Sequence, residues 1–167
     1  WNAETNTVTF RQQRAINLQT RDQGEIHAAG RDNVYLAGTK DTVFYIAGIK
    51  TERDIKLMSD NGVHMIGNGR LEGENLIIYG GNGSIGSADK HIETKISGTL
   101  DANSAKSVYL TQQDGVLTIQ AVAAGGEVVL DADDGMKMSA EEGKDMGYIS
   151  AGTQITLTAV KGSIGVD

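Results

Sequence analysis

The chain has 167 residues, a length that fits one compact domain or a segment of a longer protein. Its 22 acidic and 15 basic side chains leave a net charge of −7, which argues against nucleic-acid binding because phosphate contacts need clustered Lys and Arg. Cysteine is absent, so disulfides, thiolate metal sites and a cysteine nucleophile are excluded. Glycine is abundant, at 22 residues, and proline is absent, which is typical of tight turns joined to unbroken backbone ladders.

No stretch of about 18 apolar residues occurs, and the first residues lack the basic and apolar parts of a secretory signal peptide. The sequence therefore predicts no membrane-spanning segment. Because the chain begins at Trp1 and not at methionine, we expect a segment of a longer protein whose export signals lie elsewhere.

Short apolar-x-apolar triplets recur through the first half of the chain. Val34, Ile55 and Leu76 each open such a triplet and lie 21 residues apart. The Asn-Gly pairs at Asn61 and Asn82 are also 21 residues apart, and Asn-Gly favours sharp corners. The spacing predicts short strands that each lie beside the strand one period later.

The second half has a similar period and a longer repeat. Leu117, Met136 and Ile155 open triplets that are 19 residues apart. Residues 71–86 also match residues 150–165, and both segments end in Gly-Ser-Ile-Gly. We interpret this offset of 79 residues as four coils of about 20 residues each.

Two stretches depart from the pattern. Residues 87–107 predict an irregular insertion, although their apolar residues still allow a coil with longer corners. The stretch from Met138 to Met146 is the best helical candidate, but Gly143 interrupts it. We expect a loop between strands there.

The periodicity predicts an all-β fold, a single right-handed parallel β-helix over residues 1–167 with about 20 residues per coil and about eight coils. One coil cannot bury its own inner face, so neighbouring coils must stack. We expect Leu57 and Ile78 to share an inward column on adjacent coils. The inward register is ambiguous at Val63-His64-Met65-Ile66, where both faces carry apolar residues. A meander of β-hairpins explains each turn but not the recurring period.

Three segments resemble the repeat SAGGDVTLTA of filamentous haemagglutinin-like large exoproteins. They are residues 123–132 (AAGGEVVLDA), 150–159 (SAGTQITLTA) and 29–36 (AGRDNVYL). The Gly-Ser-Ile-Gly segments resemble the start of other repeats in such exoproteins. The resemblance covers about residues 25–165 and implies a piece of the long shaft. The family's secretion domain carries Asn-Pro motifs. Because this chain has no proline, we do not expect it to be that domain.

The resemblance implies a structural or adhesive rod, secreted by the two-partner route or held at a bacterial cell surface. Its implied partners are a host receptor or glycan and, during secretion, an outer-membrane transporter; nucleic acid and a membrane span are not expected. A first alternative is a fragment of a leukotoxin-like or haemolysin-like cytotoxin of the same family. A second, from another class, is a carbohydrate-active β-helix enzyme.

Asp131, Asp133 and Asp134 form the acidic cluster that such an enzyme or a calcium site would use. They lie at a strand end and the following turn, where aspartate is favoured as a corner residue. The calcium-binding nonapeptide repeat and the Gly-His-Gly string of polygalacturonases are both absent. We therefore predict no catalytic residues, no metal and no cofactor, and a protein that is not an enzyme.

The histidines and one glycine-rich stretch give no stronger signal for catalysis. His27, His64 and His91 have no zinc-binding spacing, and we expect ordinary surface or column positions for them. The stretch 80–83 lacks the Gly-Lys-Ser/Thr of a phosphate-binding loop. No Gly-x-Ser-x-Gly elbow occurs either.

Basic side chains are concentrated in the first third of the chain. Residues 1–56 carry eight basic and seven acidic side chains, a net charge of +1 against −8 for residues 57–167. We interpret this as a solvated face of mixed charge; the alternative is a weak anion-binding strip. The basic residues of that strip are Arg11, Arg14, Arg21, Arg31, Lys40, Lys50, Arg53 and Lys56.

Overall fold

The computed structural model describes residues 7–10, 16–18, 24–140 and 145–165, and these residues form strands, turns and bends. No helix long and apolar enough to cross a membrane occurs among the described residues. The strands are β1 (Thr7–Phe10), β2 (Ile16–Leu18), β3 (Glu25–Ala29), β4 (Val34–Gly38), β5 (Phe44–Lys50), β6 (Ile55–Met58), β7 (Val63–Met65), β8 (Leu71–Gly73), β9 (Leu76–Tyr79), β10 (Ile92–Ile96), β11 (Thr99–Ser104), β12 (Val108–Gln112), β13 (Val116–Ala124), β14 (Glu127–Ala132), β15 (Gly135–Met138), β16 (Tyr148–Ala151), β17 (Gln154–Ala159) and β18 (Ile164–Gly165).

The strands form two sheets, and the chain passes back and forth between them. The first sheet has the order β1-β3-β5-β8-β10-β12-β14-β17, with β7 also paired to β5. The second has the order β2-β4-β6-β9-β11-β13-β15-β18, with β16 also paired to β13. The pairs between these strands are parallel. The predicted all-β fold of stacked parallel strands, a β-solenoid, is confirmed.

The solenoid makes about five turns of about 21 residues each. These turns fall in the continuously described stretch between β3 and β14. The predicted total of about eight coils is not confirmed, because the turns at either end include residues outside the described ranges. The right-handed winding stays a prediction.

The inward columns follow the predicted period. Leu57 pairs with Ile78 in register, and both side chains are fully buried, so their shared column is confirmed. In β7 the side chains of Val63 and Met65 are buried, whereas His64 lies on the outer face. The structure thereby decides the register that the apolar residues on both faces left ambiguous.

The long repeat does not correspond to four whole turns. Leu76 lies in β9 of the second sheet, whereas its sequence match Ile155 lies in β17 of the first sheet. The two segments are therefore three and a half turns apart, and the interpretation as four coils is wrong. Ile155 pairs with Val128 and not with Met136, the residue 19 positions earlier.

The added residues that cause this shift lie between β15 and β16. Both strands pair with β13, although the first ends at Met138 and the second begins at Tyr148. Part of the loop expected from Met138 to Met146, residues 141–144, lies outside the described residues. The sequence predicts an irregular insertion at residues 87–107. In the structure this stretch contains β10 and β11, and both strands pair in parallel with neighbouring strands.

A ladder of polar side chains stabilises the corner that leads into the second sheet. The side-chain oxygen of Asn33 accepts a hydrogen bond from the Asp54 N–H at 3.1 Å. The Asn75 amide donates to the Asp54 carboxylate at 2.8 Å, and its oxygen accepts from the Thr99 N–H at 2.8 Å. Each rung lies one turn after the last, so these side chains satisfy corner N–H groups where the strand ladders are interrupted.

Two glycines of the exoprotein-like segments are explained by the close approach of stacked corners. A Cβ on Gly152 would lie 2.0 Å from the carbonyl oxygen of Gly125. A Cβ on Gly125 would lie 2.2 Å from the carbonyl oxygen of Ala105. Parallel neighbours are only about 4.8 Å apart, so a side chain here would separate the coils.

We expect Leu57→Asp to lower the unfolding free energy by about 3 kcal/mol or more, or to abolish cooperative unfolding altogether. The physical reason is that the substitution buries an unpaired carboxylate in the core. Lys56→Asp is the control, since Lys56 lies on the outer face of the same strand. Urea unfolding followed by circular dichroism measures both. Equal tolerance of the two variants would contradict the column.

Candidate binding groove

The outer face of the first sheet carries an open groove of about 510 Å³. The backbone of β3 and β5 forms its floor around Ala28 and Gly48. Polar and charged side chains form its rim. The rim offers hydrogen-bond donors and acceptors to a bound molecule, and the floor has little side-chain bulk. The rim residues are His27, Lys50, Asn68, Arg70, Glu72 and Gln113.

The groove exists because residues 66–70 leave the sheet and return to it. The Ile66 N–H donates to the Ile46 carbonyl at 2.9 Å, and the Ile49 N–H donates to the Arg70 carbonyl at 3.0 Å. The loop thus bulges over the middle of β5. Gly69 contacts the Ala47 carbonyl there so closely that a Cβ would lie 1.4 Å from its oxygen, so only glycine fits.

Charges alternate across three neighbouring strands along one side of the groove. Lys50, Glu72 and Lys95 are successive partners in the parallel register. The Glu72 carboxylate accepts from Lys50 Nζ at 2.7 Å and from Arg70 Nε at 2.5 Å. Lys95 turns instead to Asp114, with Nζ and Oδ2 2.6 Å apart. Two cations therefore share one carboxylate at the groove, which leaves a local excess of positive charge.

These contacts fix the ionisation of both carboxyl groups. Hydrogen bonds from Lys50 and then Arg70 lower the pKa of Glu72 below its usual value. The hydrogen bond from Lys95 lowers the pKa of Asp114 in the same way. Both groups are ionised at neutral pH, so they act as hydrogen-bond acceptors and not as proton donors.

A second groove of about 390 Å³ adjoins the first and shares Glu72 with it. Glu52, Lys95 and Asp114 are its charged residues. Gln113 links the neighbouring coils, because its amide donates to Glu93 at 2.8 Å and its oxygen accepts from Arg70 at 3.4 Å. The two grooves are thus lined by side chains of several successive coils and have Glu72 in common.

A second polar cluster lies on the same sheet, near its other edge. His91 Nδ1 lies 2.9 Å from Thr111 Oγ1 and 3.3 Å from Asp131 Oδ2. The Tyr109 ring packs against His91 with centroids 5.8 Å apart, and its hydroxyl donates to Glu127 at 3.1 Å. The cluster ties three coils together and leaves the His91 side chain only 19% exposed.

The acidic cluster of the sequence does not come together as one site. Asp131 lies at the end of β14, as the last-but-one residue of the strand, and its outward side chain belongs to the His91 cluster. Asp133 and Asp134 follow the strand as bend residues, as predicted. The Asp134 carboxylate accepts a hydrogen bond from the Gly115 N–H of the neighbouring corner at 2.9 Å.

The other two histidines occupy surface positions, as expected. His27 lies at the groove, with Nε2 3.6 Å from the Glu25 carboxylate. His64 stacks on Tyr45 with ring centroids 5.8 Å apart, and partial burial lowers the pKa of His64. Among the described residues, no group of three or more His, Asp or Glu side chains is placed to hold a metal ion.

The glycine-rich stretch 80–83 forms a corner after β9. Gly81 adopts a φ of 52°, and the Gly83 N–H donates to the Gly80 carbonyl at 2.9 Å. The Ser104 hydroxyl donates to the Gly83 carbonyl at 2.5 Å. The backbone groups of this stretch therefore hold the corner and its stacked neighbour.

The proposed basic strip is divided between different parts of the surface. Arg31 and Arg53 lie in turns from the first sheet to the second, and Lys40 lies in a turn back. Lys50 ends a strand of the first sheet, whereas Lys56 lies in the second sheet. Arg11, Arg14 and Arg21 lie outside the described residues.

Sequence reasoning missed both polar features of the first sheet. His91, Thr111 and Asp131 are spaced by 20 residues, so the period itself could have revealed this cluster. The pairing of Lys50 with Arg70 through Glu72 has no such signal, because the loop at 66–70 changes the local period.

Comparison with known proteins finds no matching family model, no matching curated protein and no matching solved structure. The solenoid shape does not by itself identify a haemagglutinin-like protein.

We expect Glu72→Gln to lower the unfolding free energy at pH 7 by about 1 kcal/mol or less, since the contacts of Glu72 with Lys50 and Arg70 lie near the surface. The lowered pKa of Glu72 means that its stabilisation is present above the usual carboxyl value of 4.5 and is lost as the pH falls through the lower folded-state pKa. Urea unfolding at neutral and acidic pH should therefore show a difference that shrinks in acid.

The matched control is Glu74→Gln, which removes an exposed carboxyl two residues away. An equal loss of stability in both variants, or a difference that persists at low pH, would contradict the role of the Lys50 and Arg70 contacts.

Proposed function

We propose that this chain is a shaft segment of a secreted or cell-surface bacterial exoprotein of the filamentous haemagglutinin type, a right-handed solenoid of about eight coils that supports attachment to host cells. The observation that carries the proposal is the unbroken series of stacked parallel strands from β3 to β14 in both sheets. The AAGGEVVLDA and SAGTQITLTA segments add the resemblance to exoprotein repeats.

The arrangement of hydrogen bonds suits a mechanical role. In a solenoid the ladder bonds between successive coils run along the axis of the rod. Each coil is held to the next through two sheets and through a shared apolar core. Polar ladders at the corners, such as that of Asn33, Asp54 and Asn75, add further bonds between coils. A load is thereby spread over many contacts.

The groove supports a binding role more than a catalytic one. Glycoside hydrolysis needs one carboxylic acid with a raised pKa and a second, ionised carboxylate. At the two grooves the pKa values of Glu72 and Asp114 are both lowered, because Glu72 is paired with Lys50 and Arg70, and Asp114 is paired with Lys95. Alternating charges on an open surface are suited to polar groups of a receptor or glycan.

Surface display tests the proposed attachment. The chain is placed between a two-partner secretion domain and an epitope tag, and is expressed with the matching outer-membrane transporter. We expect the tag at the cell surface and increased attachment to host cells, because a folded rod presents its binding surface to them.

The control is the Leu57→Asp variant, which loses the stacked fold but keeps the other residues. Equal attachment of bacteria that display the two chains, or failure of the tag to reach the surface, would contradict the proposal. Lysis of host cells by the purified chain would favour the cytotoxin alternative instead.

We predict no release of oligosaccharides from polygalacturonate, alginate or hyaluronan, with or without calcium. Asp131→Asn and Asp133→Asn should affect only local contacts, by about 1 kcal/mol or less, because both side chains lie near the surface. Reducing-sugar release and product chromatography measure turnover. Turnover by the wild type that both substitutions abolish would replace the shaft with an enzyme.

A further inference from the structure

Three Asn-Gly pairs occur in the chain, and the fold places them in different surroundings. They are Asn61-Gly62, Asn68-Gly69 and Asn82-Gly83. An asparagine loses its side-chain amide most readily when glycine follows it, because glycine has no side chain to shield its own nitrogen. All three asparagines are exposed to solvent, so any difference between them comes from the backbone around each pair.

The first pair lies in a corner that hydrogen bonds hold in place. The Asn61 N–H donates to the Thr42 carbonyl at 2.9 Å, and the Gly62 carbonyl accepts from the Phe44 N–H at 3.0 Å. Gly62 itself is buried. A Cβ on Gly62 would lie 3.0 Å from the carbonyl oxygen of Ser84, so the next coil packs directly on this corner. The stacking restricts rotation of the backbone at Asn61.

The third pair is held in the same way by the corner after β9. The Asn82 N–H donates to the Asp60 carbonyl at 2.8 Å. The Gly83 N–H donates to the Gly80 carbonyl at 2.9 Å, and the Gly83 carbonyl accepts from the Ser104 hydroxyl at 2.5 Å. The nitrogen that would attack the Asn82 side chain is therefore buried and already hydrogen-bonded.

The second pair lies in the loop that bulges over the middle of β5. Within the described part of the chain, the backbone groups of Gly67, Asn68 and Gly69 have no hydrogen-bond partner, and neither has the Asn68 side chain. Gly67 has a φ of 60°, and no atom lies within 4 Å of the position that a Cβ would take. With a glycine on each side, the backbone around Asn68 has the freedom that the two corners lack.

Packing of the loop also preserves the labile pair. A Cβ on Gly69 would lie 1.4 Å from the carbonyl oxygen of Ala47, so no other residue fits at this position. The nitrogen that follows Asn68 therefore belongs to a glycine as a requirement of the fold.

We propose that Asn68 is a site of spontaneous deamidation that changes the charge of the groove lined by residues on β3 and β5. The backbone nitrogen of Gly69 attacks the side-chain carbonyl carbon of Asn68 and forms a new C–N bond. The side-chain nitrogen leaves as ammonia and takes the Gly69 amide proton with it. Water then opens the cyclic imide at either carbonyl and leaves aspartate or isoaspartate at position 68. No oxidant or reductant is needed.

The product alters the groove because Asn68 lines it together with Lys50, Arg70 and Glu72. Lys50 and Arg70 share the Glu72 carboxylate, and a second carboxylate at position 68 offsets their excess positive charge. The charge of the groove thereby changes with the age of the protein. This goes beyond the shaft function and does not depend on it, because the reaction needs only the loop and water.

Peptide mass spectrometry tests the reaction. The folded chain is incubated in warm, mildly alkaline buffer and then digested with trypsin. Residues 57–70 form one peptide with Asn61 and Asn68, and residues 71–90 form another with Asn82. Fragment ions locate each conversion of an amide to an acid. We expect Asn68 to react about tenfold or more faster than the other two, because their corners must first open.

Two controls separate the effect of the fold from that of the sequence. In concentrated urea the three pairs should react at similar rates, because each is Asn-Gly and no corner is stacked. Asn68→Gln should abolish the reaction at position 68, since the longer side chain closes a ring much more slowly. Labelling by an isoaspartyl methyltransferase should mark the peptide of residues 57–70 from the wild type but not from this variant.

The change in charge is measured with Asn68→Asp. An added carboxylate in the groove should raise the pKa of Glu72 from its lowered value, because like charges disfavour ionisation. Titration of the Glu72 carboxyl carbon by NMR gives its midpoint. Asn61→Asp is the matched control, since Asn61 lines neither groove and should leave the midpoint unchanged.

Three results would each overturn the proposal. The first is an equal rate for the three asparagines in the folded chain. The second is a folded chain in which Asn68 stays intact while the chain in urea reacts. The third is a Glu72 midpoint that Asn68→Asp shifts no more than Asn61→Asp does, which would show that position 68 does not affect the charge of the groove.

Discussion

The stacking of each coil on the next is the constraint on which the whole structure depends. A turn of about 21 residues encloses a narrow row of apolar side chains that it cannot cover alone. Val128 is fully buried because a coil lies on each side of it, whereas Ile155, its partner in the same column, is 46% exposed. Whether a column residue is buried therefore depends on the coils that stack on either side of it.

The same stacking decides which surface residues meet. Outward side chains one turn apart become neighbours in the ladder, so Lys50 meets Glu72, and His91 meets Thr111. Residues far apart in the chain therefore build the two grooves and the His91 cluster on the same sheet. The charges along the groove are therefore a consequence of the register between successive coils.

Part of the candidate site was accessible to sequence reasoning and part was not. The spacing of His91 and Asp131 by two periods contained the information for their contact. The groove depends instead on the loop at 66–70, which adds residues within one turn and brings Arg70 beside Glu72. A local insertion has no period, so only the folded backbone shows where it directs its side chains.

The sequence by itself determined the strand type, the period of the first half and the inward column of Leu57 and Ile78, because alternating apolar residues at a fixed spacing leave one way to bury them. Only the tertiary structure decided which sheet each later segment joins. Segments 71–86 and 150–165 match in sequence, yet the residues between β15 and β16 shift the second by half a turn, so Leu76 and Ile155 lie in opposite sheets. The alternation of apolar and polar residues determines which side chains a strand buries. The lengths of the intervening loops determine in which sheet that strand lies.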